Sequence, residues 1–377
     1  MRSGIIGMIV GVVVGIVIGA TVIAPRLHPA PKAANATPPA APADVARDLP
    51  KLLLPRPAVE MKMAGAFDEA TPLAGSLGRR FDTRLSETSR GQMEVRFFQP
   101  GALVPAADLL DSIAAGAVDA GFVAPGLLAP KTPALQLFGG IPFGPGAEEL
   151  LAWINFGGGR ELLADIAGRQ GVHAIVCGLL PAAAAGWFRE EIETAADLRG
   201  LRMRAVGLGA TALARLGVEV KPIDPTQIAA ALEDRSIDAA ALSAPAIDKS
   251  FGLQSRVSNY YFPGWQQSPS ALLLVINKQK WDGLKSSQRM LMETVCGDNV
   301  SFALAQGEAV QLQAIKDLYA QGVAFQRWPS PLREDLRRAW TQIAEELANR
   351  DAEFRRAWTS LAGFRDQYRV WRDLTDR

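Results

Sequence analysis

The stretch VEMKMAGAFDEATPLAGSLGRRFDTRLSETSRGQMEVRFFQP, Val59 to Pro100, sets the fold class. Both of its ends, VEMKMAGAF (59–67) and QMEVRFFQP (92–100), alternate apolar and polar residues as half-buried strands do. Between them, in LAGSLGRRFDTRLSETS, Leu73, Leu77, Phe81 and Leu85 recur at every fourth position, the spacing of an amphipathic helix. Strand, helix and strand in this order predict a β-α-β unit, and hence an α/β protein with a largely parallel sheet covered by helices.

Further along, the chain repeats itself. LLDSIAAGAVDAGFVAP (109–125) and IAAALEDRSIDAAALSAP (228–245) each read as a helix, a tight turn, an Asp-Ala pair and a short apolar strand ending near Ala-Pro. The pairs are Asp119–Ala120 and Asp238–Ala239. The second copy has its own β-α-β start in GLRMRAVG, ATALARLG and VEVKPI, so two similar α/β lobes are expected. From Pro331 to Leu374, Trp340, Ile343, Leu347, Phe354, Trp358 and Leu361 keep helical spacing, which predicts long helices packed across the lobes. The heptad breaks at Asn349–Asp351, which argues against a coiled coil.

Composition narrows the function. The 377 residues carry a net charge of +1, so no basic footprint for nucleic acid is present. Two histidines and two cysteines leave little for zinc or nucleophile-base chemistry, and no HExxH, CxxC or GxSxG motif occurs. His173, inside GVHAIVCG, reads as a strand histidine satisfied by hydrogen bonds. Cys177 and Cys296 could pair in an exported domain, but the favoured reading is two separate buried thiols.

The first part of the chain differs. Gly4 to Ala24 carries no charge and reaches the roughly 20 residues that cross a bilayer, beyond the usual signal-peptide core. It is a signal peptide or a retained anchor helix, and its length favours the anchor. Gly7, Gly11, Gly15 and Gly19 would form one shallow face along such a helix, suited to pairing with a second helix. Residues 25–57, rich in Pro and Ala, read as an extended tether. The remaining chain, 58–377, is expected to hold lobe 1 (about 58–180), lobe 2 (about 181–290) and helices spanning both (291–377).

Two α/β lobes leave a cleft at their strand ends, where ligands prefer to bind. The segment DLRGLRMRAVG (197–207) is well placed to line it, with Arg202 and Arg204 on one strand face and Met203 on the other. An arginine in a cleft matches a carboxylate with two parallel hydrogen bonds.

This segment resembles the solute-binding component of tripartite ATP-independent periplasmic (TRAP) transporters. So do the flanking GWFREEIETAADLRG and ALEDRSIDAAALSAP, together with NYYFPGWQQSPSALLLVINKQKWDGL (259–284). FQPGALVPAADLLDSIAAGAVDAGF, IPFG and AWINFGGGRELL carry the likeness into the first lobe, and the subgroup most resembled binds 2-oxo acids. The resemblance implies a two-lobed, hinge-closing binding protein of the type II-like periplasmic fold, without catalysis. It places Arg204 on the family's carboxylate clamp. Trp265, Phe122, Ala241 and Leu242 fall at cleft-lining positions.

The departures from the subgroup matter as well. Where its members use a Gln and a Glu-Trp pair to help hold a substrate-bridging ion, this sequence has Ala183, Ala241 and Leu242. The expectation is therefore no metal, no cofactor and a pocket more apolar than usual. The ligand expected is an organic carboxylate with a hydrophobic portion, passed to TRAP membrane permease subunits from a periplasmic, membrane-tethered protein. The soluble body is expected to be monomeric, because a swapped helix carried by some relatives is missing after VWRDLTDR. A tethered sensor or scaffold with a drifted pocket is the alternative in a different functional class.

Overall fold

A computed structural model describes residues 57–128 and 132–375. The expected anchor, its glycine face and the tether up to residue 56 lie outside these residues. Among the described residues no helix is long and apolar enough to cross a membrane. Pro57 opens the unit that runs to the end of the chain.

The opening stretch folds as strand β1 (Val59–Gly65), helix α1 (Ser76–Thr88) and strand β2 (Met93–Phe98), with β1 and β2 paired in parallel. Leu77, Phe81 and Leu85 form the buried face of α1. Leu73, expected inside that helix, precedes it: it is buried at positive φ, in a turn where its N–H donates to the Ser76 hydroxyl.

Helix α2 (Leu109–Ala114) and strand β3 (Ala120–Val123) follow, then α3 (Ala147–Phe156), α4 (Gly159–Arg169) and β4 (Val172–Leu180). The chain then crosses to a second sheet. It lays down β5 (Gly186–Phe188), β6 (Arg202–Arg204), α5 (Gly207–Arg215), β7 (Glu219–Lys221), α6 (Ile228–Glu233), β8 (Ala239–Ala240), α7 (Pro245–Ser250) and β9 (Asn259–Phe262). It returns to the first sheet as β10 (Ser270–Asn277). The first sheet has the order β2-β1-β3-β10-β4. The second, closed by β11 (Ala324–Arg327), has the order β11-β9-β5-β8-β6-β7. Strand β10 runs antiparallel to β3 and β4, so the sheets are mixed rather than wholly parallel.

The repeated sequence is a repeated structure. β3 pairs in parallel with β1, and β8 with β6, in the two lobes. In both, the aspartate before the second strand accepts from the first strand's backbone. Asp119 takes the Lys62 N–H at 2.7 Å and Asp238 takes the Arg202 N–H at 3.3 Å.

The two segments joining the lobes, 181–185 and 263–269, hydrogen bond to each other through Ala183 N–H and Gln267 carbonyl at 3.2 Å. After the short α8 (Lys278–Asp282), helix α9 (Ser286–Ala320) runs 35 residues, about 50 Å. It packs on β4 and α1 in lobe 1 and on α7 in lobe 2. Its Asn299, fully buried, donates to the Leu77 and Cys177 carbonyls and accepts from Arg80. One turn earlier lies Cys296, disulfide-bonded to Cys177 of β4. This corrects the expectation of two separate thiols. Both residues are buried, but helix and strand are pressed together at that level, which a sequence separation of 119 does not reveal.

The C-terminal helical pattern becomes α10 (Ser330–Arg350) and α11 (Ala352–Thr375). Asp351 breaks them with extended backbone, and its carboxylate caps the next helix by accepting from Phe354 N–H. Helix α10 packs on α5 of lobe 2, whereas α11 packs on α3, α4 and the Pro133–Phe138 segment of lobe 1. Trp340 and Trp358 meet edge to face between the helices, and the Trp153 indole N–H donates to Ser360. His173 lies in strand β4, as expected, and there its ring stacks on Trp281; burial holds its pKa down at about 4, so it stays neutral at neutral pH.

Candidate functional site

Arg202 and Arg204 share a face of β6, as alternation requires, yet they meet different surroundings. Arg202 stands at the outer end, half-exposed, with its guanidinium paired to Asp238 at 2.6 and 2.9 Å. Arg204, only 5 % exposed, sits at the other end of the strand. Its Nε donates to the Ile223 carbonyl at 3.1 Å and its Nη1 to the Ala241 carbonyl at 2.6 Å. Among the described residues no carboxylate lies within ion-pair distance of it, and Nη2 has no protein partner. Burial depresses the Arg204 pKa, opposed by the more distant charges of Asp248 and Asp224. A guanidinium fixed by two neutral carbonyls keeps its charge for an incoming anion.

The sequence reading missed what holds this arginine. Asp248 of α7 is fully buried. Its Oδ1 accepts the Ser243 N–H at 2.7 Å, and its Oδ2 accepts the Trp187 indole at 3.0 Å and the Tyr260 hydroxyl at 2.9 Å. The Trp187 and Tyr260 rings stack at 3.8 Å. The Ser243 carbonyl in turn accepts from Ala184 N–H in the first crossing segment. Asp248 thus fixes the loop Ala241–Leu242–Ser243, whose first carbonyl fixes Arg204 and whose last is tied to the hinge. The only sequence signal was an acid among apolar residues in APAIDKS.

Burial pushes the Asp248 carboxyl up to about 7, against the pull of its donors and of Arg204. Since this lies above the ordinary value, the folded chain holds that proton more tightly than the unfolded chain. The associated stability is complete below about pH 4 and is lost as pH rises through about 7. Between about pH 5 and pH 8 the urea midpoint of the wild type should therefore fall relative to that of Asp248→Asn. The limiting slope is about 1.4 kcal/mol per pH unit. Parallel curves for the two proteins would refute the assignment.

The remaining expected residues are distributed unevenly. Ala241 touches Arg204, and half-buried Leu242 follows it. Phe122 is 1 % exposed in the core of lobe 1, where a Cβ on Gly78 would come within 3.2 Å of its ring. Trp265 packs against Phe143 with ring centroids 5.6 Å apart, and lines a cavity that includes none of Arg204, Ala241, Leu242 or Phe122. Across the lobes, Gly207 at the start of α5 faces the Gln136 side-chain oxygen. Its φ of +67 suits glycine there.

The residues do not fit a bridging cation. Ala183 and Leu242 bring no side-chain oxygen, and the Ala241 carbonyl already accepts from a guanidinium. Among the described residues no group of three His, Cys, Asp or Glu could hold a metal ion.

Two α/β lobes joined by two crossing segments, braced by a long helix and carrying a buried arginine at a strand end, define a two-lobed solute-binding protein. Residues 63–351 match the DctP family, bacterial extracellular solute-binding protein family 7. The chain is 30% identical over 293 residues to a monocarboxylate 2-oxoacid-binding periplasmic protein of Nostoc sp., covering 78% of this chain and 80% of that one. It superposes with TM-score 0.81, at 28% identity, on a TRAP transporter solute-binding protein from Bordetella bronchiseptica that has calcium and picolinate bound, covering 85% of this chain and 96% of that one. A counterpart from Colwellia psychrerythraea with calcium and pyruvate bound gives TM-score 0.80 at 25% identity, covering 85% and 98%. The chain belongs to the DctP family of TRAP periplasmic solute-binding proteins. It is a transport component of a solute-binding family rather than a member of an enzyme class.

Proposed function

We propose that this protein captures an organic carboxylate between its lobes and delivers it to TRAP membrane permease subunits. The observation that carries the reading is Arg204, buried, anchored by two carbonyls and without an acidic partner in contact among the described residues. Leu242 beside it supplies an apolar wall, and the relatives with pyruvate or picolinate bound support a carboxylate as ligand. The uncharged Gly4–Ala24 run supports a periplasmic body tethered to the inner membrane.

The ligand binds without a bridging ion and carries a hydrophobic portion. Support comes from the side chains at 183, 241 and 242, two methyls and an isobutyl group, none of which offers an oxygen to a cation. Calorimetry on the full chain with pyruvate, 4-methyl-2-oxopentanoate and phenylpyruvate tests this, with and without a chelator. Chelation should leave binding unchanged, and affinity should rise with the apolar part, by up to about 0.8 kcal/mol per buried methylene. Binding of pyruvate alone, and only after sodium or calcium is added, would overturn it.

A further inference from the structure

A second cationic feature lies away from Arg204. A cavity of about 550 Å³ is bounded by the lobe-crossing segments (Ala182, Pro263–Trp265, Ser268), the loop at Phe143, and four arginines of α10 and α11: Arg333, Arg337, Arg365 and Arg372. Among the described residues no acidic side chain lines it. A groove of about 320 Å³ shares Arg337, Arg365 and Arg372 with it and adds Arg369 and Asp366.

The four arginines are not equivalent. Arg365 is a fixture: its Nε pairs with buried Glu149 at 3.2 Å and its Nη2 donates to the Phe143 carbonyl at 3.0 Å. Arg337 is laid over the Phe143 ring, 4.3 Å from its centroid. Its contact with Glu334 is long, at 3.8 Å, with both side chains about half-exposed, and among the described residues Arg372 pairs with its exposed neighbour Asp373, at 3.6 Å. Surface pairs of this kind leave most of the cationic field in place. Two residues of the lining each carry a further donor that is buried and, among the described residues, without a hydrogen-bond partner: the indole N–H of Trp265, a residue 3 % exposed, and Nε of Arg333. A buried donor left unmatched is costly, and here two of them belong to residues around one cationic hollow.

We propose that this cavity is a second binding site, for a small organic polyanion bearing two or more carboxylates and a planar or apolar body. Arg333, Arg337 and Arg372 supply the charge complement. Phe143 and Trp265 supply the aromatic walls, and the volume falls within the range of small-molecule sites. It is distinct from the Arg204 clamp in residues and in the ligand charge it favours.

The probe is benzene-1,3,5-tricarboxylate, titrated calorimetrically at low salt into the full chain, with acetate as the monovalent control. The tricarboxylate should bind and acetate should not, and added salt should weaken binding. The double variant Arg337→Ala/Arg372→Ala should weaken it at least about tenfold, as loss of charged hydrogen-bond partners does, whereas Arg204→Ala should leave it unchanged. Half-exposed Arg372→Ala alone serves if the double variant does not fold, with the same direction and a smaller fold-change. No binding by the wild type, equal binding by the variants, or loss of binding in Arg204→Ala would each overturn the proposal. The last would place the tricarboxylate in the interlobe cleft. Failure of phenylpyruvate to bind, with tricarboxylate binding intact, would instead count against the carboxylate-capture reading alone.

Discussion

Arg204→Ala should abolish useful carboxylate capture. Removing a charged hydrogen-bond partner from a buried site costs about 1.5–3 kcal/mol, or about 10- to 150-fold in Kd. Two features place the effect at the upper end. The guanidinium is buried, so its attraction for an anion is weakly screened, and it is held in place before the ligand arrives. Arg204→Lys separates charge from geometry: an ammonium keeps the charge but cannot bond both carbonyls and a carboxylate as a planar fork does. It should recover only part of the loss. Calorimetry with phenylpyruvate reads both variants, and thermal melts confirm that they fold. Affinity within twofold of wild type for Arg204→Ala would remove this residue from the site.

The second large effect is on stability. Opening the Cys177–Cys296 bond, by reductant or as Cys177→Ser/Cys296→Ser, frees a loop closed across 119 residues. The chain-entropy account gives about 4–5 kcal/mol for a loop of that length. That is a large part of the total for an ordinary domain. The bond staples α9 to β4 beside the Asn299 hydrogen bonds, so its loss should loosen the long helix from lobe 1. Guanidinium midpoints of oxidised and reduced protein measure it, and coincident midpoints would show that packing alone holds the helix. A structural disulfide also agrees with a periplasmic location, which is oxidising.

Local pattern made much of the fold readable. Alternation at 59–67 and 92–100, helical spacing between them and the recurrence of helix, turn and Asp-Ala gave the β-α-β units, and β-α-β units gave the lobes. Arg204 was singled out for a related reason: its strand face follows from alternation, and the motifs around it mark the position whose ligand role is proposed above. Leu73 shows the limit, because apolar spacing continued past the helix start while the backbone turned.

The partners of Arg204 were not legible. The carbonyls of Ile223 and Ala241 belong to loops whose sequence carries no mark of it, since any residue has a carbonyl. Asp248 resembled a surface helix acid until Trp187 and Tyr260, brought from 61 and 12 residues away, enclosed it. The arginines of α10 and α11 fitted the polar faces of amphipathic helices. They gather around one cavity only because the two helices meet at Trp340 and Trp358 over the lobe crossings.

The sequence by itself therefore determined the periodic elements, their order in two lobes and the family, because periodicity and motif order are properties of neighbouring residues. Tertiary structure alone decided that Cys177 and Cys296 join, that Asp248 is enclosed while Arg202 is neutralised and Arg204 is not, and that Trp265 faces arginines. Each of these depends on contacts between segments distant along the chain, and their energies come from burial and pairing that exist only once the lobes have packed.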